Sequence, residues 1–424
     1  MPVKTQSIPG PETVERISLA NGITLLVREN HSSPVAVLEG YLPVGSLHEP
    51  PEKAGLSAFT ASLLTRGTEH YDFDTFNELV ESVGASLSVG GDIHVTHFNV
   101  TSLSEDFPRL VAVLADVLRR PTFPPEHVER VRGQWLVRLQ ERDQNTRRVA
   151  HRRFYELLYG DHPYGRPVSG YTETIQAITR EDVLGFFQGY TPRGAIIVVA
   201  GDVTGPQVRA LLEEQLGDWT GPEADQSLPD PPNQSEVQTD YVSLPGKIQA
   251  DIVVGSLAIA RTDPDYFPVQ VANTILGRFG LMGRLGEVVR EKQGLAYYSY
   301  SVVDPDVGPG PWYAAAGVNP VNAQRAIESI LGEFQRLRDE PVSPEELADT
   351  QAYMTGSLPL RLETNAGVAS ILLDMEWFGL GLDYLQRYAE RVGQVTQEDV
   401  QRVARKYLRT DAYTLVVAGP EVGE

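Results

Sequence analysis

The sequence predicts an α+β protein made of two tandem, related halves. The chain has 424 residues, which is too long for one ordinary hydrophobic core. Runs typical of strands alternate with amphipathic helical patterns along most of its length. Several local patterns return at a nearly constant offset, and a proline-rich stretch with little apolar surface separates the two sets. These observations together predict a duplicated mixed unit of roughly 200 residues.

Three patterns of the first half return in the second half after 217 to 219 positions. They are a capping box, a short apolar strand and a proline that opens a helix, found at Thr179 and Thr396, Val198–Gly201 and Val416–Gly419, and Pro125 and Pro344. Residues 221–232 contain four prolines and are typical of a linker. We therefore predict an N-terminal domain over 1–220, a linker over 221–236 and a C-terminal domain over 237–424.

The elements of the first half follow from local patterns. Two apolar runs around Asn21-Gly22 predict a hairpin. Further strands are predicted over 35–44 and 195–200, with a strand pair over 85–100 that is interrupted at Gly90-Gly91. Helices are predicted over 55–68, 73–83 and 107–118, together with one long arginine-rich tract from Pro124 towards Arg153.

The helix at 55–68 has an apolar face and an unusual neighbouring face. Its apolar residues recur with helical spacing at Leu56, Phe59, Leu63 and Leu64. The neighbouring face carries Ala58, Ala61 and Ser62, stacked one turn apart. This spacing suits two metal ligands and a catalytic carboxylate, but these three side chains can neither bind zinc nor move a proton.

The frame of this helix resembles the zinc helix of the pitrilysin/insulinase family of metallopeptidases. That helix reads Gly-Leu-x-His-Phe-x-Glu-His, followed by apolar residues and a basic-Gly-Thr end, and this chain keeps Gly55, Leu56, Phe59, Leu63, Arg66, Gly67 and Thr68. Ala58 and Ser62 replace the two histidines, and Ala61 replaces the glutamate. The resemblance implies two domains of the mitochondrial-processing-peptidase-like type in a clamshell, each an antiparallel-rich sheet covered by helices.

The resemblance also implies that this copy has lost the zinc site. In the family a distant glutamate completes the ligand set, and its position falls on 137–139, where no acid stands. Glu141 is near but out of register. Among the histidines only His94 and His97 are close together, and in a strand they would point to opposite faces. We expect no metal in this chain, with His162 in a local hydrogen-bonding role.

The second half keeps a pair of residues that the family uses on substrate. Arg290 ends a predicted helix, and Tyr297 follows seven residues later in Gly294-Leu295-Ala296-Tyr297. The resemblance implies that the tyrosine hydroxyl binds the oxyanion of the reaction and that the arginine holds a peptide carbonyl. The alternative is structural: the arginine would cap a helix dipole and the tyrosine would pack in a sheet.

Charge and composition limit the partners. A net charge of −21 argues against nucleic acid and anionic membranes. No run approaches the roughly 20 apolar residues of a membrane span, and no apolar signal core precedes the first strand. We therefore expect a cytoplasmic protein.

The predicted function is that of a non-catalytic, substrate-binding subunit of a heterodimeric zinc metallopeptidase for unfolded peptides. The chain would be inactive alone and active with a homologous subunit that carries the zinc. A homodimer is the alternative assembly when the chain is isolated. One alternative is an inactive peptide-binding or assembly scaffold of the same fold without a peptidase partner. A self-sufficient peptidase with a relocated site has no support in the histidine positions.

Overall fold

A computed structural model of the protein describes residues 8–420. Its strands, β1 to β11, are Glu15–Ser18, Thr24–Glu29, Val35–Leu42, Ser86–Gly91, Thr96–Leu103, Ile196–Gly201, Gln238–Ser243, Ala250–Leu257, Ala296–Val303, Pro311–Val318 and Thr414–Gly419. Its α-helices, α1 to α14, are Leu56–Leu63, Phe73–Glu81, Phe107–Arg119, Pro125–Asp143, Thr146–Tyr159, Thr172–Ala177, Arg180–Phe187, Gly205–Leu216, Tyr266–Asn273, Ala323–Asp339, Pro344–Arg361, Asn365–Trp377, Tyr384–Gly393 and Gln397–Tyr407. None of the described helices is long and apolar enough to cross a membrane.

The first sheet has six strands in the order β1-β2-β6-β3-β5-β4. β2 and β6 run parallel, whereas the other neighbouring strands are antiparallel. β6 is buried along its whole length, as its continuous apolar sequence predicts for a central strand. β4 lies at the edge of the sheet, so one side of its backbone has no strand partner within residues 8–420.

The second sheet repeats the topology of the first. Its order, β7-β11-β8-β10-β9, is that of β2-β6-β3-β5-β4 with each strand replaced by its counterpart from the second half. β7 and β11 form the parallel pair, as β2 and β6 do, and the remaining pairs are antiparallel. The predicted α+β class with two tandem, antiparallel-rich sheets is therefore confirmed.

The chain forms two compact units, and each contains segments from both halves of the sequence. The described part of unit 1 consists of 8–139, 167–227 and 358–386, and that of unit 2 consists of 140–166, 228–357 and 387–420. These units differ from the sequence repeats, whose predicted boundaries at 220 and 237 stay a prediction.

The two halves exchange equivalent helices. In unit 1, α12 packs on β3 and β6, and in unit 2, α5 packs on β8 and β11, the counterparts of those strands. α5 begins at Thr146 and α12 at Asn365, 219 positions later. Neither sheet is therefore covered by helices of its own half alone.

Local signals predicted most element ends, with two exceptions. The Asn21-Gly22 hairpin and the capping boxes at Thr179 and Thr396 are present. The single helix predicted from Pro124 towards Arg153 is wrong, because Asn145 accepts a hydrogen bond from the backbone N–H of Arg148 and starts a new helix, α5.

The second exception concerns the strand pair over 85–100. Gly90 and Gly91 do not interrupt it, since both lie inside β4 and pair with His97 and Thr96 of β5. The two strands are instead separated by the residues between Gly91 and Thr96, where neither strand continues.

Candidate functional site

Helix α1 is held at its first residues by a glycine and a buried acid. Gly55 precedes the helix with a φ of 96°, in the left-handed region that favours glycine. A Cβ at this position would lie 2.9 Å from the Cα atom of Gly170, so a side chain has no room. The buried carboxylate of Glu49 accepts hydrogen bonds from the backbone N–H groups of Gly55 and Ser57, both at 2.8 Å. These bonds satisfy free donors at the helix N-terminus and place a negative charge at its positive end.

The two predicted ligand positions and the predicted position of the catalytic carboxylate lie together on α1, and none of them carries a group that binds metal. Ala58 is 7% exposed and Ala61 is 1% exposed, so two packed methyl groups occupy this face. The hydroxyl of Ser62 donates to the backbone carbonyl of Phe59 at 2.6 Å and is thus engaged within the helix. Across residues 8–420 the structure brings together no three His, Cys, Asp or Glu side chains that could hold a metal ion.

Edge strand β4 packs directly on this face of α1. A Cβ at Gly91 would lie 2.8 Å from the Cα atom of Ala58, and one at Gly90 would lie 2.5 Å from the ring of His97. Gly91 therefore allows close packing of β4 on α1, whereas Gly90, on the opposite face of the strand, leaves room for the ring of His97. In the described part of the chain, the outer side of the β4 backbone has no strand partner.

Arginines replace the acid of the missing third ligand. Arg138 stands in the stretch of α4 where the third ligand was sought, between the exposed Val137 and the buried Leu139. A 3-10 turn, Leu64–Arg66, continues α1. Burial lowers the pKa of Arg66, and the charges of Arg130 and Arg138 lower it further. This surrounding positive charge opposes a metal cation.

The histidines do not form an alternative site. His94 is buried in the turn before β5, so its predicted place in a strand is wrong, while His97 is exposed on β5. His162 has the local role that was predicted. Its Nδ1 accepts from the backbone N–H of Tyr164 at 3.1 Å, and its Nε2 lies 3.2 Å from the carbonyl oxygen of Pro229.

Arg290 and Tyr297 lie in unit 2, on consecutive elements. Arg290 belongs to a π-helical segment, Gly286–Lys292, and its side chain is 43% exposed. The carboxylate of Glu291 is 3.9 Å from its Nε atom, at the limit of an ion pair. Tyr297 is the second residue of β9, an edge strand, and is 61% exposed. This exposure contradicts the alternative in which the tyrosine packs in the sheet.

A β-bulge presents Tyr297 to solvent. Ala296 pairs with Val318 and Tyr298 pairs with Gly317, so Tyr297 is an extra residue without a partner on β10. Bulges of this kind redirect side chains and are common beside functional sites. Among residues 8–420 the hydroxyl of Tyr297 has no hydrogen-bond partner. Its hydroxyl is thus a free donor, and the exposed Arg290 lies on the element that precedes β9.

The next tyrosine has the opposite environment. Tyr298 donates its hydroxyl to the buried carboxylate of Asp251, and the guanidinium of Arg147 lies 4.7 Å from the centre of its ring. Burial raises the pKa of Tyr298, and the Asp251 carboxylate raises it further. Adjacent positions of one strand therefore hold a structural tyrosine and an available one.

Two family descriptions match consecutive parts of the chain. Residues 24–172 match the insulinase family, peptidase family M16, and residues 177–354 match the peptidase M16 inactive domain. The chain belongs to the insulinase family. The resemblance predicted from the frame of the helix is therefore confirmed.

Relatives of this insulinase-family chain match it along nearly their whole length. An uncharacterized zinc protease of Streptomyces coelicolor is 27% identical over 418 residues, which cover 97% of this chain and 90% of the relative. The mitochondrial-processing peptidase subunit beta of Saccharomyces cerevisiae is 23% identical over 430 residues, or 98% and 92% of the two chains. The crystal structure of a peptidase M16 inactive domain from Pseudomonas fluorescens has a TM-score of 0.91 at 26% identity and covers 97% of this chain and 98% of that one.

The zinc of the insulinase family does not fit helix α1 of this member. Zinc in proteins is held by imidazole, thiolate and carboxylate groups, and its binding energy comes from those ligands. Two buried methyl groups and a hydroxyl that donates to its own helix supply none of them. The guanidinium of Arg138 near the third position adds repulsion.

Proposed function

We propose that this chain is the non-catalytic, substrate-binding subunit of a heterodimeric zinc metallopeptidase that acts on unfolded peptides. The contrast between the two candidate sites supports this most: α1 offers no chemistry, whereas Tyr297 offers an exposed and unpaired hydroxyl. A relative that is itself named as a subunit of a processing peptidase favours an assembled enzyme.

In the proposed complex this chain supplies hydrogen-bond donors. The hydroxyl of Tyr297 donates to the oxyanion that develops on the attacked peptide carbonyl, where a preorganised donor contributes roughly 3 kcal/mol. The guanidinium of Arg290 donates to a neighbouring peptide carbonyl and fixes the register of the substrate. Metal chemistry belongs to the partner subunit, so the isolated chain is expected to be inactive.

Edge strand β4 provides a second means of holding an extended peptide. Among residues 8–420 its outer backbone groups have no strand partner, and its sequence, Ser86–Gly91, has no proline that would prevent pairing. Added strands bind mainly through main-chain hydrogen bonds and therefore tolerate many side chains. Such tolerance suits an enzyme that degrades unfolded peptides of varied sequence.

The test is a reconstitution with a homologous subunit that carries the intact His-x-x-Glu-His helix, sought first in an adjacent reading frame. Cleavage of a quenched fluorescent peptide and bound zinc are measured for this chain, for that subunit and for the mixture. We expect activity in the mixture alone, with the zinc residing in the partner. Stoichiometric zinc and chelator-sensitive cleavage by this chain alone would contradict the proposal.

A scaffold without a peptidase partner is the remaining alternative. It predicts that peptide binds to this chain but that no zinc-motif subunit associates with it or cleaves peptide in its presence. Mass measurement in solution would show at the same time whether the isolated chain forms a homodimer. The cytoplasmic location expected from the sequence stays a prediction.

A further inference from the structure

An unpaired cluster of three arginines lies in unit 1 of a chain whose net charge is −21. Arg66 ends the turn after α1, and Arg130 and Arg138 belong to α4. The guanidinium carbons of Arg66 and Arg130 lie 4.9 Å and 5.7 Å from the centre of the same ring, that of Phe73. Arg130 and Arg138 are eight positions apart, which is about 12 Å along a helix.

No acid neutralises this arginine cluster. Within residues 8–420 none of the three side chains has a carboxylate within 4.0 Å or a protein hydrogen-bond acceptor, and the Nε atom of Arg66 is buried without a partner. Each guanidinium carries five donors, and a buried donor without an acceptor is costly. Arg132 on the same helix differs, since it pairs with Glu129 at 3.0 Å.

Both positive and negative side chains lie around the cluster. Burial lowers the pKa of Arg66, and the charges of Arg130 and Arg138 lower it further, so both of these groups repel the Arg66 guanidinium. Acids do line the adjoining cavity of about 330 Å³, at Glu69, Asp72 and Glu126. None of them lies within ion-pair distance of the three arginines. The positive charge is therefore available to an external ligand.

We propose that Arg66, Arg130 and Arg138 bind an acidic segment of an extended polypeptide. Their spread of about 12 Å equals roughly four residues of an extended strand, so carboxylates at both ends of such a segment reach the cluster. A single small anion would contact only one end of the arginine cluster. Edge strand β4 packs on both α1 and the turn that ends in Arg66, so a strand added to β4 passes close to the cluster.

This inference does not depend on a catalytic partner, on Arg290 or on Tyr297. It concerns the charge of the polypeptide that binds near helix α1, the helix that lacks zinc ligands. The probes are therefore extended peptides that differ only in their acidic residues.

The test measures binding of labelled extended peptides to the full chain by fluorescence anisotropy at low ionic strength. One peptide carries two glutamates four positions apart, a second carries one, and a third carries glutamines at both positions. The variant Arg130→Gln/Arg138→Gln removes two exposed charges of the cluster. Arg109→Gln/Arg193→Gln is the matched control, because it removes two exposed arginines of unit 1 that have no carboxylate within 4.0 Å among the described residues.

We expect the two-glutamate peptide to bind most tightly and the cluster variant to weaken it about tenfold or more, with less than about twofold loss in the control. The melting temperatures of both variants should match that of the parent. Equal losses in both variants would mean that net charge alone attracts the peptide and would overturn the site. Equal binding of the one- and two-glutamate peptides, with displacement by inorganic phosphate at constant ionic strength, would overturn the extended segment in favour of a small anion.

Discussion

Tyr297 and Tyr298 show how one residue position separates a structural side chain from an available one. The hydroxyl of Tyr298 is bound to Asp251, whereas that of Tyr297 faces solvent from a bulge. We expect Tyr297→Phe to leave folding and assembly intact and to lower the turnover of the reconstituted peptidase by about tenfold or more, since it deletes one oxyanion donor. Steady-state cleavage by the assembled complex measures this loss.

The matched control for this substitution is Tyr241→Phe. Tyr241 is 65% exposed and lies on β7, the opposite edge strand of the same sheet, so it reports the loss of an exposed hydroxyl elsewhere. Its turnover should equal that of the parent. Unchanged turnover in Tyr297→Phe would remove this residue from the mechanism, and equal losses in both variants would indicate a general effect on the unit.

Glu49 is a second residue whose role can be tested separately from substrate binding. Its carboxylate accepts from two backbone N–H groups at the start of α1. Glu49→Gln replaces one acceptor with a donor that faces an N–H group, so we expect a loss of about 1–3 kcal/mol in the free energy of unfolding. Urea unfolding measures it, with the exposed Glu52→Gln as control. Equal midpoints for the two variants would contradict the capping role.

The sequence predicted the candidate residues better than their surroundings. Motif spacing located Ala58, Ala61, Ser62, Arg290 and Tyr297, because the residues that define each family motif lie within a short stretch of sequence. It missed Glu49, since an acid six positions before the residue that precedes a helix matches no capping pattern. It also missed the arginine cluster, because Arg66 and Arg138 are far apart in sequence and meet only through packing.

At the scale of elements, the exchanged helix α12 brings a second carboxylate against β3. Glu39 of β3 has its pKa raised to about 7, first by burial and then by Asp374 of α12. The hydroxyl of Tyr41 donates to Asp374 at 3.2 Å. Folded protein holds the Glu39 proton to higher pH than unfolded protein does. The protonated Glu39 therefore contributes its full stability below about pH 4.5, and this contribution is lost as the pH rises through 7.

Glu39→Gln imitates the protonated acid and should therefore stabilise the protein at alkaline pH. We expect a gain of about 1–2 kcal/mol near pH 8, reduced from the full shift because solvent reaches this half-buried carboxyl, and no gain near pH 4.5. Thermal or urea unfolding across this pH range measures the difference. Glu81→Gln removes an exposed carboxyl of unit 1. It should change the free energy of unfolding only slightly and by the same amount at every pH. A gain for Glu39→Gln that is independent of pH would contradict the assignment.

The ends of helices and strands were predictable where hydrogen bonds between nearby residues set them. Features that depend on packing between distant segments were not predictable. Asn21-Gly22 and the Thr179 capping box predicted their turn and helix because the hydrogen bonds close within a few residues. The division between α4 and α5 was missed because Asn145 acts as a cap without any glycine or proline to mark it. The exchange of α5 and α12 left no local trace, since an amphipathic pattern does not indicate which sheet a helix covers.

At the scale of the whole molecule, the exchange makes the two halves of the sequence depend on each other. The first sheet needs α12 from the second half, and the second sheet needs α5 from the first half. The segment from residue 219 to residue 236 contains no helix or strand and includes the boundary of the units at Ser227. A cut in this segment therefore breaks no helix or strand.

We predict that a chain nicked in this segment stays in one piece under native conditions. A protease site inserted after the exposed Ser235 would be cleaved, and the product would be examined by size-exclusion chromatography with light scattering. The two fragments should elute together with the mass of the intact chain, 46.7 kDa if it is monomeric, and separate only in denaturant. The halves expressed singly should unfold without a cooperative transition, because each sheet lacks its exchanged helix, whereas coexpression should restore it. Fragments that elute separately and each unfold cooperatively would show that the exchanged helices are dispensable for both sheets.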